Sequence, residues 1–276
     1  MTSVPDRANA GEGRELWGRA SFLVAGLVLS GFVALGLRLG APLAPWLYLR
    51  GFLILFALAA IVLIWGIVRG LRRPPFLGHG RRLAFALCGL SIVLASLPFP
   101  YPSSHAGGFS PVDFRLPFDG AWSVRWGGER RTENALVFSP PHRYGFAFVP
   151  GPEASTEVLA PANGRVLAVG AASGERGGGP TEAYLVLEVA AERCLVLANL
   201  SSVTVELGAV VEAGSVLGSV AEGEALLVHL QDDPRPGRGE GVPLRFRDYL
   251  SGGREVEAGV PRGGPAGETV APAAGP

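Results

Sequence analysis

Apolar residues are distributed along this chain in two regimes. Up to about residue 100 they form long uncharged runs; beyond it they alternate with polar residues at strand period and are interrupted by glycine. Three runs define the first regime: residues 20–37 and 51–68, each 18 residues long, and residues 83–99, which is 17 long. A helix needs about 20 residues, within a range of about 17–25, to cross the hydrocarbon core of a bilayer. The first two runs reach that length by snorkelling Arg38 and by recruiting Trp46-Leu47-Tyr48-Leu49 as an interfacial anchor. The third, ending at Pro98-Phe99-Pro100, is the shortest, and a buried soluble helix is its competing reading. The pattern predicts a three-helix membrane anchor over residues 20–100, preceded by a polar, disordered, cytoplasmic N-terminus over residues 1–19.

Charge gives the anchor a direction. Residues 69–82 carry five Arg in 14 positions, so that loop is expected to stay in the cytoplasm. Three spans then leave the N-terminus inside and everything after residue 100 outside, as a multi-pass protein of the cytoplasmic (inner) membrane with a periplasmic or extracellular C-terminal domain. The charge balance agrees, because the formal net charge of zero conceals two unlike halves. Residues 1–100 hold ten Arg against three acidic residues, and residues 101–276 hold fourteen Arg against twenty-one. A cleavable signal peptide is the rival reading of the first run, but two more runs follow it and no small-residue cleavage site closes it. No ionisable residue lies within the three runs, so a transporter or proton path has no support. Gly66-x-x-x-Gly70 fits a helix-packing spacing at the membrane edge.

The second half reads as β throughout. Residues 101–115 are rich in Pro, Gly and Ser and are expected to be a linker, and residues 251–276, rich in Gly, Pro and Ala, a disordered tail. Between them, strands are predicted over residues 183–189, 193–197 and 226–231, with a flexible loop at 171–180. Residues 195–220 carry turn glycines at Gly208, Gly214 and Gly218. Short strands with glycine turns and no helical period argue for an all-β sandwich or barrel. Cys88 and Cys194 lie in segments of different character and suggest no disulfide framework.

Several segments resemble the LytM/lysostaphin-type zinc endopeptidases, which cut peptidoglycan cross-bridges. Residues 116–128 (LPFDGAWSVRWGG), 158–169 (VLAPANGRVLAV) and 195–220 (LVLANLSSVTVELGAVVEAGSVLGSV) are similar to that family's opening strand, entry turn and "A-H-L … G-x-x-I-G" segment, in the family's order. The resemblance covers residues 116–250 and implies a duplicated hybrid-motif β-fold. It also implies five chemical positions, and each departs from the family pattern. Leu136 stands for the first zinc-ligand His and Ala147 for the Asp. Asn199 stands for the His of "A-H-L", and Ala225 and Leu227 for the two His of "H-x-H". A hydrolytic zinc centre needs three protein ligands and an open position. A shifted register keeps His142 and His229, but without a carboxylate. Asp232 and Asp233 lie nearby in a Pro/Gly-rich loop, where surface solvation is the simpler role.

The resemblance thus implies a degenerate member without zinc or catalytic residues. It would be a binding or regulatory module at the bacterial cell envelope, whose partner is peptidoglycan or another envelope protein. The alternative is an active zinc metalloendopeptidase with a rearranged site that uses His142, His229 and an acidic residue. A biotinyl or lipoyl carrier is excluded because the chain contains no lysine, an adaptor because coiled-coil heptads are absent, and nucleic-acid binding because the second half is acidic.

Overall fold

The computed structural model describes residues 8–37, 43–72, 79–171 and 183–273. The chain divides into two compact units, residues 1–99 and 100–276.

The first unit is helical. Helix α1 spans Ala8–Gly36, so much of the segment expected to be disordered up to residue 19 is instead the first turns of a helix. A short α2 (Leu43–Trp46) passes through a π-helical turn at Leu47–Gly51 into α3 (Phe52–Leu71), and α4 covers His79–Ser96. Among the described residues, two helical stretches are long and apolar enough to cross a membrane, Leu16–Gly36 and Leu43–Leu71. The third run forms a helix, α4, that does not reach that standard. Of the Arg-rich 69–82 segment, residues 69–71 end α3 and 79–82 begin α4, while 73–78 lie outside the described residues. Trp17 organises the packing: it is buried, and its indole N–H donates to the Val62 carbonyl at 2.9 Å. Its ring lies against Gly66, where a Cβ would collide with it. Gly66 therefore makes room for a large neighbour within the unit. Tyr48, Phe32, Phe52 and Phe99 form an aromatic cluster at the other end, where the Tyr48 hydroxyl donates to the Phe99 carbonyl at 2.6 Å.

The second unit is all-β. Its strands in chain order are β1 (Trp122–Trp126), β2 (Phe146–Pro150), β3 (Glu157–Leu159), β4 (Gly164–Ala171), β5 (Ala183–Ala190), β6 (Arg193–Leu200) and β7 (Ser202–Val203). Then follow β8 (Val210–Val211), β9 (Val216–Ser219), β10 (Leu226–Gln231), β11 (Gly241–Val242), β12 (Phe246–Ser251), β13 (Arg254–Gly259) and β14 (Thr269–Pro272). An antiparallel sheet runs β13-β12-β14-β1-β2-β10-β6-β5-β4-β8, with β11 attached to β10, and a second sheet runs β3-β9-β7. The predicted hairpin is β5–β6, and β10 has the predicted bounds. The expected 171–180 loop lies outside the described residues apart from Ala171, the end of β4.

Strand alternation sorts the side chains onto two faces. Phe146 and Phe148 of β2, Leu226, Val228 and Leu230 of β10, Leu195 and Leu197 of β6, and Leu185 and Leu187 of β5 all enter the main core. There Phe118 stacks on Trp122 at 4.3 Å, and Phe246 meets Phe146 and Phe148 edge-on at 5.1 and 5.7 Å.

Two segments depart from expectation. The 101–115 "linker" is part of the domain: Tyr101, Ser103 and Phe114 are buried, and Phe114 bridges to Phe246. The 251–276 "tail" is ordered through residue 273, since β13 pairs with β12 and β14 lies between β12 and β1 with Val270 fully buried. Both have the composition of disorder, but a few apolar anchors at long sequence separation hold each one in place. Truncation after Gly253 removes β13 and β14, which strips β12 of both its ladder partners and leaves β1 as a raw edge. The truncated full-length protein in detergent is expected to lose roughly 10 °C or more in the thermal transition of its β unit, followed by circular dichroism.

Candidate functional site

The candidate site occupies the other face of β2, β10 and β6. Ala147 of β2 lies directly opposite Leu227 of β10, which in turn faces Ala198 of β6. Next to Ala198, Asn199 adopts a left-handed backbone (φ 64°), a conformation asparagine tolerates better than most residues. Its side-chain amide donates to the Ala225 carbonyl at 3.0 Å and ties the end of β6 to the lead-in of β10. At the other end of the patch, Gly145 sits against three groups. A Cβ there would lie 3.2 Å from a Leu136 methyl, 3.2 Å from His229 Cβ and 3.1 Å from the His142 carbonyl. Leu136 is carried by a 3₁₀ turn, Ala135–Phe138, whose N-cap Asn134 accepts from the Leu136 amide. The fold thus gathers Leu136, Ala147, Asn199, Ala225, Leu227, His142 and His229 into one continuous region from segments far apart in sequence.

The two histidines pack edge to face, with ring centroids 4.3 Å apart. His229 is buried, and burial, aided by the neighbouring His142 ring, pushes its pKa down to about 3. Burial lowers His142 as well. Both rings are therefore neutral at pH 7. His229 Nε2 lies 3.1 Å from Gln231 Oε1, and the Gln231 amide nitrogen donates to the Asp233 and Arg235 carbonyls. That orientation makes Gln231 Oε1 an acceptor, so His229 Nε2 carries the proton and is not available to a metal. His142 Nδ1 is 2.7 Å from the Ser139 hydroxyl.

The nearby carboxylates are occupied as well. Burial would raise Asp232, but its bonds to His105 Nε2 (3.0 Å) and the Glu240 amide (2.7 Å) outweigh that and leave its pKa lowered. Asp233 is clasped by the Arg235 guanidinium at 2.7 and 2.9 Å, which pulls it down to about 2. Among the described residues, no group of three His, Cys, Asp or Glu side chains is placed to hold a metal ion. The residues present do not fit a zinc centre: the middle of the patch is an alanine–leucine pair, and one imidazole's Nε2 is committed as a donor.

No family model and no curated protein matches the chain. Among solved structures, it is similar to the catalytic domain of the prophage-encoded M23 protein EnpA from Enterococcus faecalis, solved as a point mutant. The identity is 22%, the TM-score 0.33, and the match covers 50% of this chain and 95% of that one. It is also similar to the catalytic domain of the antimicrobial peptidase lysostaphin from Staphylococcus simulans, at 17% identity and TM-score 0.26, over 42% and 83% of the two chains. These neighbours are M23/LytM-type peptidases. A further neighbour is the SpoIIIAH–SpoIIQ complex, at 17% identity and TM-score 0.33, over 44% of this chain and 94% of that one. The chain spans less than half of some longer neighbours, such as 41% of a zinc-containing peptidase from Vibrio cholerae.

Two outcomes follow from the geometry. A histidine whose folded pKa lies below its unfolded value of about 6.5 contributes stability above that pH and loses it as the pH falls. Lowering the pH from 7 to 5 should therefore cost about 2 kcal/mol through His229 alone, and His229→Gln should flatten that fall in pH-dependent chemical denaturation. Asn199→Gly keeps the left-handed backbone but deletes the bond to Ala225, and should cost about 1 kcal/mol in the same assay.

Proposed function

We propose that the β unit is a catalytically inactive LytM-like domain that binds a partner at the cell envelope. In this reading its two sheets represent the hybrid motif of that family, and the helices hold it outside the cytoplasmic membrane with α4 as the third span. The observation that carries the reading is the Ala147–Leu227 pair. At the centre of the patch, where a hydrolytic site would need a carboxylate facing an imidazole, two apolar side chains are paired across the strands. Leucine and alanine at these positions leave no unpaired ligand in the groove, so the fold is spared the cost of buried polar groups without partners. The rearranged peptidase would need an acid beside His142 and His229, and the two nearest candidates in sequence, Asp232 and Asp233, are tied to His105 and Arg235.

A half-buried apolar patch bordered by Asn199 and His142 suits recognition of a protein segment or of peptidoglycan's peptide portion. The full-length chain in detergent, equilibrated with zinc and then desalted, is expected to retain less than one equivalent by atomic emission and to leave muropeptides intact. Stoichiometric zinc together with muropeptide cleavage overturns the reading. A photo-crosslinking residue at Leu227, introduced in cells, is expected to capture an envelope protein or wall peptide.

A further inference from the structure

Residues 101–105 open the β unit, and Tyr101 comes five positions after the last residue of α4, Ser96. They are held on two sides. On one side is Glu240, a carboxylate only 1% exposed. Its Oε1 accepts from the Tyr101 hydroxyl at 2.5 Å, and its Oε2 accepts from the Ser104 amide and hydroxyl, both at 2.7 Å, and lies 3.3 Å from the Ser103 hydroxyl. Asp232 joins the clasp, since its two oxygens accept from the Glu240 amide and meet His105 Nε2. On the other side is the wall of the candidate site. The Tyr101 amide donates to the Val137 carbonyl at 2.9 Å, and Arg143 Nε donates to the Tyr101 carbonyl at 3.0 Å. Val137 belongs to the 3₁₀ turn that carries Leu136, and Arg143 is adjacent to His142. The Gly241 amide closes the circuit by donating to the Pro140 carbonyl at 2.8 Å.

We propose that residues 101–105 act as a latch that sets the segment bearing Leu136 and His142 at the border of the patch, making the shape of the patch depend on whether the segment leaving α4 is seated. The proposal rests on the patch being the binding site argued above. The physical reason is the way Glu240 is paired. Among the described residues, every side-chain and amide donor to its carboxylate comes from residues 101–104, so lifting that segment leaves a buried charge with no partner. The carboxylate must then turn out to water, and the 232–240 loop must turn with it. That loop carries the Asp233 and Arg235 carbonyls that orient Gln231, whose oxygen holds His229. Seated and lifted are therefore two discrete arrangements rather than a continuous range. A pull on the chain at residue 100, or a partner that prefers one arrangement, selects between them.

Hydrogen–deuterium exchange of the full-length protein in detergent tests this without any partner. Tyr101→Phe removes one hydroxyl, Ser104→Ala another, and Glu240→Gln weakens all the bonds together. If Glu240→Gln does not fold, the two hydroxyl variants carry the test. Exchange at residues 135–145 and 231–241 is expected to quicken by about tenfold, while β5 and β6 keep the wild-type rate. Unchanged exchange at 135–145, or equal quickening throughout the β unit, overturns the latch, because the segment is then ordinary packing. Failure of Leu227 crosslinking with these exchange changes intact would count against the binding reading instead.

Discussion

The register between β2 and β10 is the constraint on which the β unit depends. With Phe146 opposite Val228 and Phe148 opposite Leu226, four large apolar side chains enter the core, and Phe246 and Phe118 close over the two phenylalanines. A slip of one residue would turn Phe146 and Phe148 outward and place Ala147 in the core, so the aromatic packing holds the pairing tightly. The same register sends Ala147 and Leu227 to the opposite face. The composition of the candidate site is thus set by strand parity, and the core would retain this pairing whatever residues occupied those two positions.

Around that apolar centre, the polar groups are engaged with one another. Asn199 serves the β6–β10 junction, Gln231 holds His229 in one tautomer, and Asp232 and Asp233 are bonded to His105 and Arg235. Catalysis needs groups poised to change protonation or coordination during turnover. Here burial keeps both imidazoles neutral and partners keep both carboxylates ionised. The hydroxyls around Glu240 extend the same network to the segment that follows α4.

Much of this was legible in the chain itself. Alternation in β5, β6 and β10, the glycine turns between them, and the order of the LytM-like segments pointed to an antiparallel β domain. The five positions read as lacking ligands were named from the sequence as Leu136, Ala147, Asn199, Ala225 and Leu227. Residues 101–115 and 251–273 read wrongly because composition weighs average hydrophobicity, whereas their order depends on single anchors. Phe114 and Val270 are buried within segments otherwise rich in Pro, Gly and polar residues, and Tyr101 finds Glu240 across 139 positions. The N-terminal polar stretch misled in the same way, since Trp17 belongs to the helical packing through Val62 and Gly66.

The sequence by itself determined which residues could be chemical and that residue 147 is an alanine rather than a carboxylate, because residue identity requires no folding. Its periodicity also determined the two regimes of the chain, since helical and strand spacing are local properties. Only the tertiary structure decided which of the remaining polar groups were free. His229's tautomer, Asp232's partner and the seating of Tyr101 on Glu240 each depend on contacts between segments distant in sequence, and no local pattern records such contacts.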